Sequence, residues 1–267
     1  MYAVVSRRSR GVSVGINLNP GKGCNFDCVY CQVNRTMSPR IRKVDLERLS
    51  AELDLILEAE KDGSLYEDEP FNVLSPVERG IRDLAFSGDG EPTAYPRFGD
   101  AVLIAAEARR RFGLDAAKLI LITNGAHLDE PRVREALRIF DENNGEIWAK
   151  LDAGTEEYFK RVNRPDVPLK KILDGILETA RIRPIVIQSL WLRIDGAVPP
   201  PDEIAAYCDR LNSVLSGGGR IKNLQLYTVA RDPAERCASP LSNEELGRIA
   251  GAVRARVPVA VETYYSA

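Results

Sequence analysis

Three closely spaced cysteines are the residues of this chain with the clearest chemical potential. The chain has five cysteines, and Cys24, Cys28 and Cys31 lie together on one segment that follows Pro20-Gly21. An odd cysteine count in a chain of this length argues against a disulfide framework. Thiolates gathered on one loop favour a soft metal ion or an iron–sulfur cluster.

The number of nearby ligands separates two kinds of metal site. A structural zinc ion normally takes four protein ligands, and the single histidine, His127, lies far from the three cysteines in the sequence. A [4Fe–4S] cluster takes one ligand per iron, so three cysteines leave one iron open to another molecule. The spacing therefore favours an iron–sulfur cluster, with a non-catalytic zinc or Fe–S binding module as the alternative.

The cysteine segment resembles the signature of the radical S-adenosylmethionine (SAM) superfamily, C-x3-C-x2-C with an aromatic residue before the last cysteine. Tyr30 is that aromatic residue here. The resemblance implies that Cys24, Cys28 and Cys31 bind three irons of a [4Fe–4S] cluster and that Tyr30 belongs to the cofactor site. It also implies that SAM is cleaved to a 5′-deoxyadenosyl radical, which removes hydrogen from a substrate. The protein then supplies binding, orientation and water exclusion.

A glycine-rich turn after the second predicted strand is the other specific motif. It contains Gly88, Asp89, Gly90, Glu91 and Pro92, and its glycines allow close approach of the backbone to another group. The turn resembles the Gly-Gly-Glu-Pro stretch of the superfamily, which implies that it holds the amino group of SAM. Asp89 departs from the double glycine, and Glu91 is interpreted as ordering the turn rather than touching SAM.

Polar residues at the ends of later strands complete the predicted cofactor site. Thr123 and Asn124 are candidates for the SAM carboxylate or ribose, with an Asx-type turn as the alternative. Asp152 is a candidate for the ribose hydroxyls, with the N-cap of the next helix as the alternative. The superfamily implies that backbone near Val229 holds adenine. Lys150 is interpreted as a salt-bridge partner of a nearby acid, or as a base or imine-former.

The elements that must position these residues alternate between strands and helices. Strands are predicted at 12–19, 81–87, 118–123, 147–151, 184–194 and 221–229, with a short terminal strand at 257–263. Helices are predicted at 44–60, 98–112, 130–142, 155–162, 168–182, 201–215 and 242–255. This alternation favours a parallel sheet with outer helices. It is the pattern of a partial (β/α)6 TIM-like barrel of the radical SAM type, in which reactive groups collect at the carboxyl ends of the strands.

The composition of the chain is that of an ordinary globular protein with 28% charged residues and a formal net charge of −2. One domain over residues 1–267 is predicted, with a cluster loop at 20–35 and an acidic connector at 61–80. Residues 1–50 carry nine Lys or Arg and three acids, a block that faces either solvent or an anionic substrate. No membrane-spanning segment or secretory signal is recognised, so a cytoplasmic location is expected.

Several further segments resemble the Fe–S oxidoreductases related to the wybutosine-synthesis enzymes of tRNA (4-demethylwyosine synthases). Among them are Leu151-Asp152-Ala153-Gly154 and Val162-Asn163-Arg164-Pro165. Those synthases carry additional cysteines before the triplet for a second cluster, whereas no cysteine precedes Cys24 here. The wybutosine reaction is therefore not expected of this chain. The resemblance implies an electron donor such as flavodoxin or ferredoxin. A small or modest-sized substrate is favoured, with tRNA or a partner protein as alternatives. Cys208 and Cys237 are assigned no role.

Overall fold

The computed structural model describes residues 1–6, 8–35, 37–39, 41, 43–231, 233 and 235–265, which fall into two compact units. The first unit contains residues 1–23, 39–122 and 130–147, and the second contains 24–38, 123–129 and 148–267. Three residues of the predicted basic block, Arg7, Arg40 and Arg42, lie outside the described residues.

The first unit is built from parallel strands and three helices. The strands lie in the order β1-β2-β3-β4-β5, in which β2, β3 and β4 pair in parallel and β1 pairs antiparallel with β2. The elements are β1 (Tyr2–Ser6), β2 (Gly11–Ile16), α1 (Leu46–Asp62), β3 (Ile81–Phe86), α2 (Phe98–Arg111), β4 (Lys118–Thr123), α3 (Pro131–Glu142) and β5 (Gly145–Lys150). The last residues of β4 and β5 belong to the second unit.

Aromatic packing holds the helices of the first unit on its strands. Phe86 of β3, Phe98 of α2 and Phe140 of α3 are fully buried, and their rings contact one another at centroid distances of 5.8–6.3 Å. Such pairs add to the large area that each ring removes from water. The carboxyl end of β3, where the glycine-rich turn begins, is therefore held by a rigid core.

The second unit continues the pattern with strands in the order β5-β6-β8-β10, all paired in parallel. A separate antiparallel pair joins β7 to β9. Its elements are α4 (Glu156–Asn163), α5 (Leu169–Ile182), β6 (Ile185–Leu190), β7 (Leu192–Ile194), α6 (Pro201–Ser216), β8 (Ile221–Tyr227), β9 (Ala238–Pro240), α7 (Asn243–Arg256) and β10 (Val261–Tyr264).

The two faces of these strands differ in character. Ser189 of β6 hydrogen-bonds Tyr207 of α6 at 2.6 Å, so its face packs against the helices. Lys150, Gln188 and Gln225 are neighbours across β5, β6 and β8 in the ladder. Because successive side chains of a strand point to opposite faces, this polar row lies on the face away from α6.

Most predicted elements are confirmed, and the differences have local causes. The predicted strand 184–194 is two strands, β6 and β7, which are separated by Trp191 and belong to different sheets. The predicted strand 12–19 ends at Ile16, and the predicted connector 61–80 begins within α1 and contains a 3₁₀ turn at Ser64–Tyr66. Neither β1 nor β9 was predicted, since β9 has three residues and ends in a proline.

The single domain over 1–267 stays a prediction beside the two compact units. Among the described residues, no helix combines the length and apolar character needed to cross a bilayer.

Candidate active site

The cysteine loop is built on the carboxyl end of helix α4. The backbone N–H groups of Asp27 and Val29 donate to the carbonyl oxygens of Asn163 and Val162 at 3.1 and 2.9 Å. The last carbonyls of a helix have no partner within the helix, and here the loop supplies the donors. Arg164 ends the helix in the left-handed region with φ of 42°. The segment Val162-Asn163-Arg164-Pro165 is thus the support of the loop.

Phe26 anchors the same loop from its apolar side. Its ring lies edge-on to the ring of Phe159 in α4 at 5.5 Å, and its backbone forms an isolated bridge with Pro165. Only 6% of Phe26 is exposed. Burial of this ring fixes the loop between the first two cysteines without using a polar side chain.

Each cysteine sulfur of the loop is approached by a side-chain N–H group. The three contacts are Asn124 Nδ2 to Cys24 Sγ at 3.8 Å, Asn163 Nδ2 to Cys28 Sγ at 3.4 Å and Arg35 Nη2 to Cys31 Sγ at 3.7 Å. All three thiols are free of disulfides. Donors aimed at sulfur stabilise the negative charge of a thiolate, and such outer groups accompany most metal sites.

The pKa of Cys28 bears on how the loop would bind iron. Burial raises the pKa of Cys28 to about 12, although the Asn163 hydrogen bond acts in the opposite direction. A metal ligand must be the thiolate, so positive charge from bound iron would have to accompany its ionisation. Three free thiols with N–H donors at their sulfurs fit the [4Fe–4S] cluster of the radical SAM signature.

A zinc ion and a four-iron cluster place different demands on the arrangement of cysteine sulfurs. No group of three or more His, Cys, Asp or Glu residues that could hold one metal ion occurs within the described part of the chain. A zinc site needs its ligands about 2.3 Å from a single ion. In a four-iron cluster each cysteine reaches a different iron, so the three sulfurs need not converge on one point.

Asp152 is the centre of a hydrogen-bond network next to the loop. One carboxylate oxygen accepts from Tyr30 Oη at 2.5 Å and from Asn163 Nδ2 at 3.0 Å. The other accepts from the Leu190 backbone N–H at 2.8 Å and lies 3.6 Å from Lys150 Nζ. Its side chain is 1% exposed, so the carboxylate is enclosed by these four donors.

The alternative role of Asp152 as a helix cap is wrong. Helix α4 is capped by Thr155, whose side-chain oxygen accepts from the Tyr158 N–H at 3.1 Å. Tyr30 donates to Asp152, and its place in the cofactor site stays a prediction. Burial, and next the Asp152 carboxylate, raise the pKa of Tyr30 well above its usual range. Tyr30 is therefore a neutral phenol that joins the cysteine loop to β5.

Lys150 lies between two tyrosines and forms the predicted salt bridge. Its Nζ donates to Tyr227 Oη at 2.6 Å and lies 5.1 Å from the ring centroids of both Tyr30 and Tyr227. Burial disfavours the ammonium, but the Asp152 carboxylate and Tyr227 outweigh it and raise the pKa of Lys150. The salt bridge to Asp152 and the hydrogen bond to Tyr227 thus favour the ammonium form of Lys150.

Thr123 and Asn124 form the turn that follows β4 and also reach the loop. Thr123 Oγ1 accepts from the Gly125 N–H at 3.0 Å, and Asn124 Oδ1 accepts from the Ala126 N–H at 3.0 Å, as in an Asx-type turn. The amide nitrogen of Asn124 donates to Asn25 Oδ1 at 2.9 Å and points at Cys24. Asn124 therefore both forms the Asx-type turn and contacts the cysteine loop.

The glycine-rich turn of the first unit is locked to the segment that follows β2. Gly88 has φ of 143°, and a Cβ there would lie 2.6 Å from the side chain of Asn17. Asn17 Nδ2 donates to Asp89 Oδ2 at 2.8 Å. The departure from a double glycine at Asp89 is thus accommodated by an asparagine that sequence reasoning missed.

Gly90 and Glu91 have different structural roles in this turn. A Cβ on Gly90 would lie 1.9 Å from the carbonyl oxygen of Gly23, the residue before Cys24. The Glu91 carboxylate accepts from the Thr93 N–H at 3.1 Å and from Thr93 Oγ1 at 2.5 Å. Pro92 follows as the first residue of a 3₁₀ turn. The interpretation that Glu91 orders the turn agrees with these contacts.

The remaining candidates lie outside this network. Val229 is buried two residues beyond β8, beside Thr228, whose Oγ1 accepts from the Leu241 N–H at 2.8 Å. Cys208 is fully buried in α6, and Cys237 contacts Glu235 beside β9. Sequence reasoning gave no role to Asn163 or Arg35. Asn163 stood within a recognised motif, but nothing local signals contact with Cys28, 135 positions away in the chain.

The chain belongs to the radical SAM superfamily, whose model matches residues 18–189. Membership makes it a radical SAM enzyme with a [4Fe–4S] cluster and SAM as cofactors. A UPF0026 protein of Helicobacter pylori strain J99 is 28% identical over 245 residues, which cover 91% of this chain and 70% of that protein.

Solved structures share the fold at low sequence identity. A radical SAM methyltransferase from Sphaerobacter thermophilus matches with a TM-score of 0.68 and 13% identity, over 98% of this chain and 68% of that one. TYW1 with a lysine–pyruvate adduct bound matches with a TM-score of 0.54 and 16% identity, over 93% and 74% of the two chains. These likenesses confirm the partial barrel of the radical SAM type.

Proposed function

We propose that this enzyme binds its cluster through Cys24, Cys28 and Cys31 and uses it to abstract hydrogen from a small or modest-sized polar substrate. When bound, the reduced cluster supplies the electron that cleaves SAM to methionine and a 5′-deoxyadenosyl radical. The observation that carries the proposal is the N–H donor at each of the three sulfurs. Hydrogen-bond donors at all three sulfurs suit a loop in which each cysteine is a thiolate bound to a metal.

We assign binding of the amino-acid part of SAM to the turn Gly88–Pro92 and to Thr123 and Asn124. The close fit of Gly90 against the Gly23 carbonyl supports a turn shaped for backbone approach. Asp152 is assigned a positioning role, because a ribose hydroxyl would have to displace one of its four donors. The adenine contact near Val229 stays a proposal from the resemblance.

The substrate proposal rests on the polar row of β5, β6 and β8. Lys150 supplies a cation, and Gln188 and Gln225 are almost fully buried and hydrogen-bonded to each other at 2.7 Å. Buried amides are costly unless their hydrogen-bonding groups are used. The support for a polar substrate is the cation of Lys150 on this polar face of the strands.

An electron donor such as flavodoxin or ferredoxin is proposed as the partner, because reduction of the cluster needs an external electron. Binding of tRNA, or activation of a protein, remains the alternative that the branch resemblance suggests. The basic block that would support tRNA binding is offset by the acidic segment 51–80, which holds nine acids and two bases. Repulsion between that segment and a phosphate backbone disfavours a long polyanion.

The experiment is anaerobic reconstitution with iron and sulfide, followed by metal analysis and an assay for 5′-deoxyadenosine with dithionite as reductant. The wild-type chain should bind about four irons, three of them through the loop cysteines, and should cleave SAM. Replacement of all three loop cysteines by alanine should abolish both. Cys237→Ala, which alters a half-buried cysteine outside the loop, should retain both. Retention of the cluster by the triple variant would contradict the proposal.

A further inference from the structure

The side-chain amide of Asn163 lies at the meeting point of three groups of the site. Its Nδ2 is 3.0 Å from Asp152 Oδ2, 3.4 Å from Cys28 Sγ and 3.4 Å from Tyr30 Oη. A carboxylate oxygen can only accept hydrogen bonds, so the nitrogen rather than the oxygen of the amide faces Asp152. The second hydrogen of the same nitrogen is then directed toward Cys28 and Tyr30.

The buried amide oxygen of Asn163 carries a cost to stability. Asn163 is 2% exposed, and its Oδ1 is buried with no hydrogen-bond partner among the described residues. An unsatisfied buried acceptor lowers the free energy of unfolding. A leucine of similar size would avoid that cost but would take away the donor to Asp152. The amide is therefore expected to serve through its N–H groups.

We infer that Asn163 is a positioning residue that makes the cluster easier to reduce, an inference that rests on the proposed function of the cysteine loop. Reduction adds negative charge to the cluster and its cysteine sulfurs. A hydrogen bond from Asn163 to Cys28 Sγ stabilises that added charge, and hydrogen bonds to the sulfurs are one determinant of the potential of such clusters. Asp152 holds the amide in the orientation that this requires.

The test is a redox titration of the reconstituted enzyme and of Asn163→Leu, followed by electron paramagnetic resonance without substrate. Loss of one hydrogen bond to the reduced state should lower the ratio of reduced to oxidised cluster about fivefold at a fixed solution potential. The matched control is Asn223→Leu. Asn223 on β8 also has a buried oxygen without a partner in the described structure, and none of the sulfur contacts described above involves it. Its ratio should equal that of the wild type.

An unchanged ratio in Asn163→Leu with full iron content would overturn the inference. Asn163→Ser, which is too short to reach Cys28, provides a second measurement and should shift the ratio in the same direction. If both variants lose iron, Asn163 serves assembly of the loop and the tuning role is overturned. A wild-type chain without iron would remove the proposed function itself, whereas an intact wild type with an unshifted variant removes only this inference.

Discussion

Replacement of Gly90 by alanine tests the glycine-rich turn with the smallest possible change. The added Cβ would lie 1.9 Å from the Gly23 carbonyl oxygen and 2.8 Å from Asn19 Cβ. The nearest atom belongs to the backbone, so no side-chain rotation relieves the clash. Ordinary contact requires about 3.5 Å, and the turn must therefore move by roughly 1.5 Å.

The cost of this movement follows from what holds the turn. Asn19 Nδ2 donates to the Glu91 carbonyl at 2.7 Å, so a shift of Gly90 strains a hydrogen bond as well as the packing. Overpacking of this kind costs about 1–3 kcal/mol. For a chain of this size, a loss of about 2 kcal/mol lowers Tm by about 4–8 °C.

The assay combines thermal unfolding of the apo chain with SAM cleavage by the reconstituted enzyme. Gly90→Ala should lower Tm and lose most 5′-deoxyadenosine formation, while the iron content is retained. Gly99→Ala is the control, since its Cβ in α2 would meet only Ala136 at 3.8 Å and alanine favours a helix by about 1 kcal/mol over glycine. Wild-type Tm and SAM cleavage in Gly90→Ala would refute the assigned role of the turn.

Two further predictions concern the substrate. Asp152 and Tyr227 raise the pKa of Lys150 and so favour its protonated form. Incubation with pyruvate and cyanoborohydride should therefore leave Lys150 unmodified, as mass spectrometry of the peptide would show. A reduced pyruvate adduct would instead support an imine-forming role. A tRNA titration should show no micromolar binding at physiological salt. The logarithm of the binding constant falls with the logarithm of the salt concentration by about 0.7 to 0.9 for each phosphate contacted. Tight binding that is lost in the double variant Arg8→Ala and Arg10→Ala would revive the tRNA alternative.

The sequence predicted well those parts of the site that depend on local spacing. The cysteine triplet, Tyr30 and the glycine-rich turn are short motifs, and each follows a short strand rich in apolar residues, Gly11–Ile16 or Ile81–Phe86. The Asx-type turn at Asn124 was one of its two predicted roles, whereas its contact with Cys24 was not predicted. What spacing could not show is the orientation of Asp152, whose carboxylate is enclosed by donors from four separate places in the chain.

The support of the cysteine loop depends on a relation that no local pattern contains. A helix end leaves carbonyls that need donors, and a loop that must present three sulfurs leaves N–H groups that need acceptors. Pairing the loop with the end of α4 satisfies both requirements at once. Because Asn163 is the last residue of that helix, its backbone oxygen holds the loop while its side chain reaches Cys28. The same residue thus couples the geometry of the loop to the charge on its sulfur.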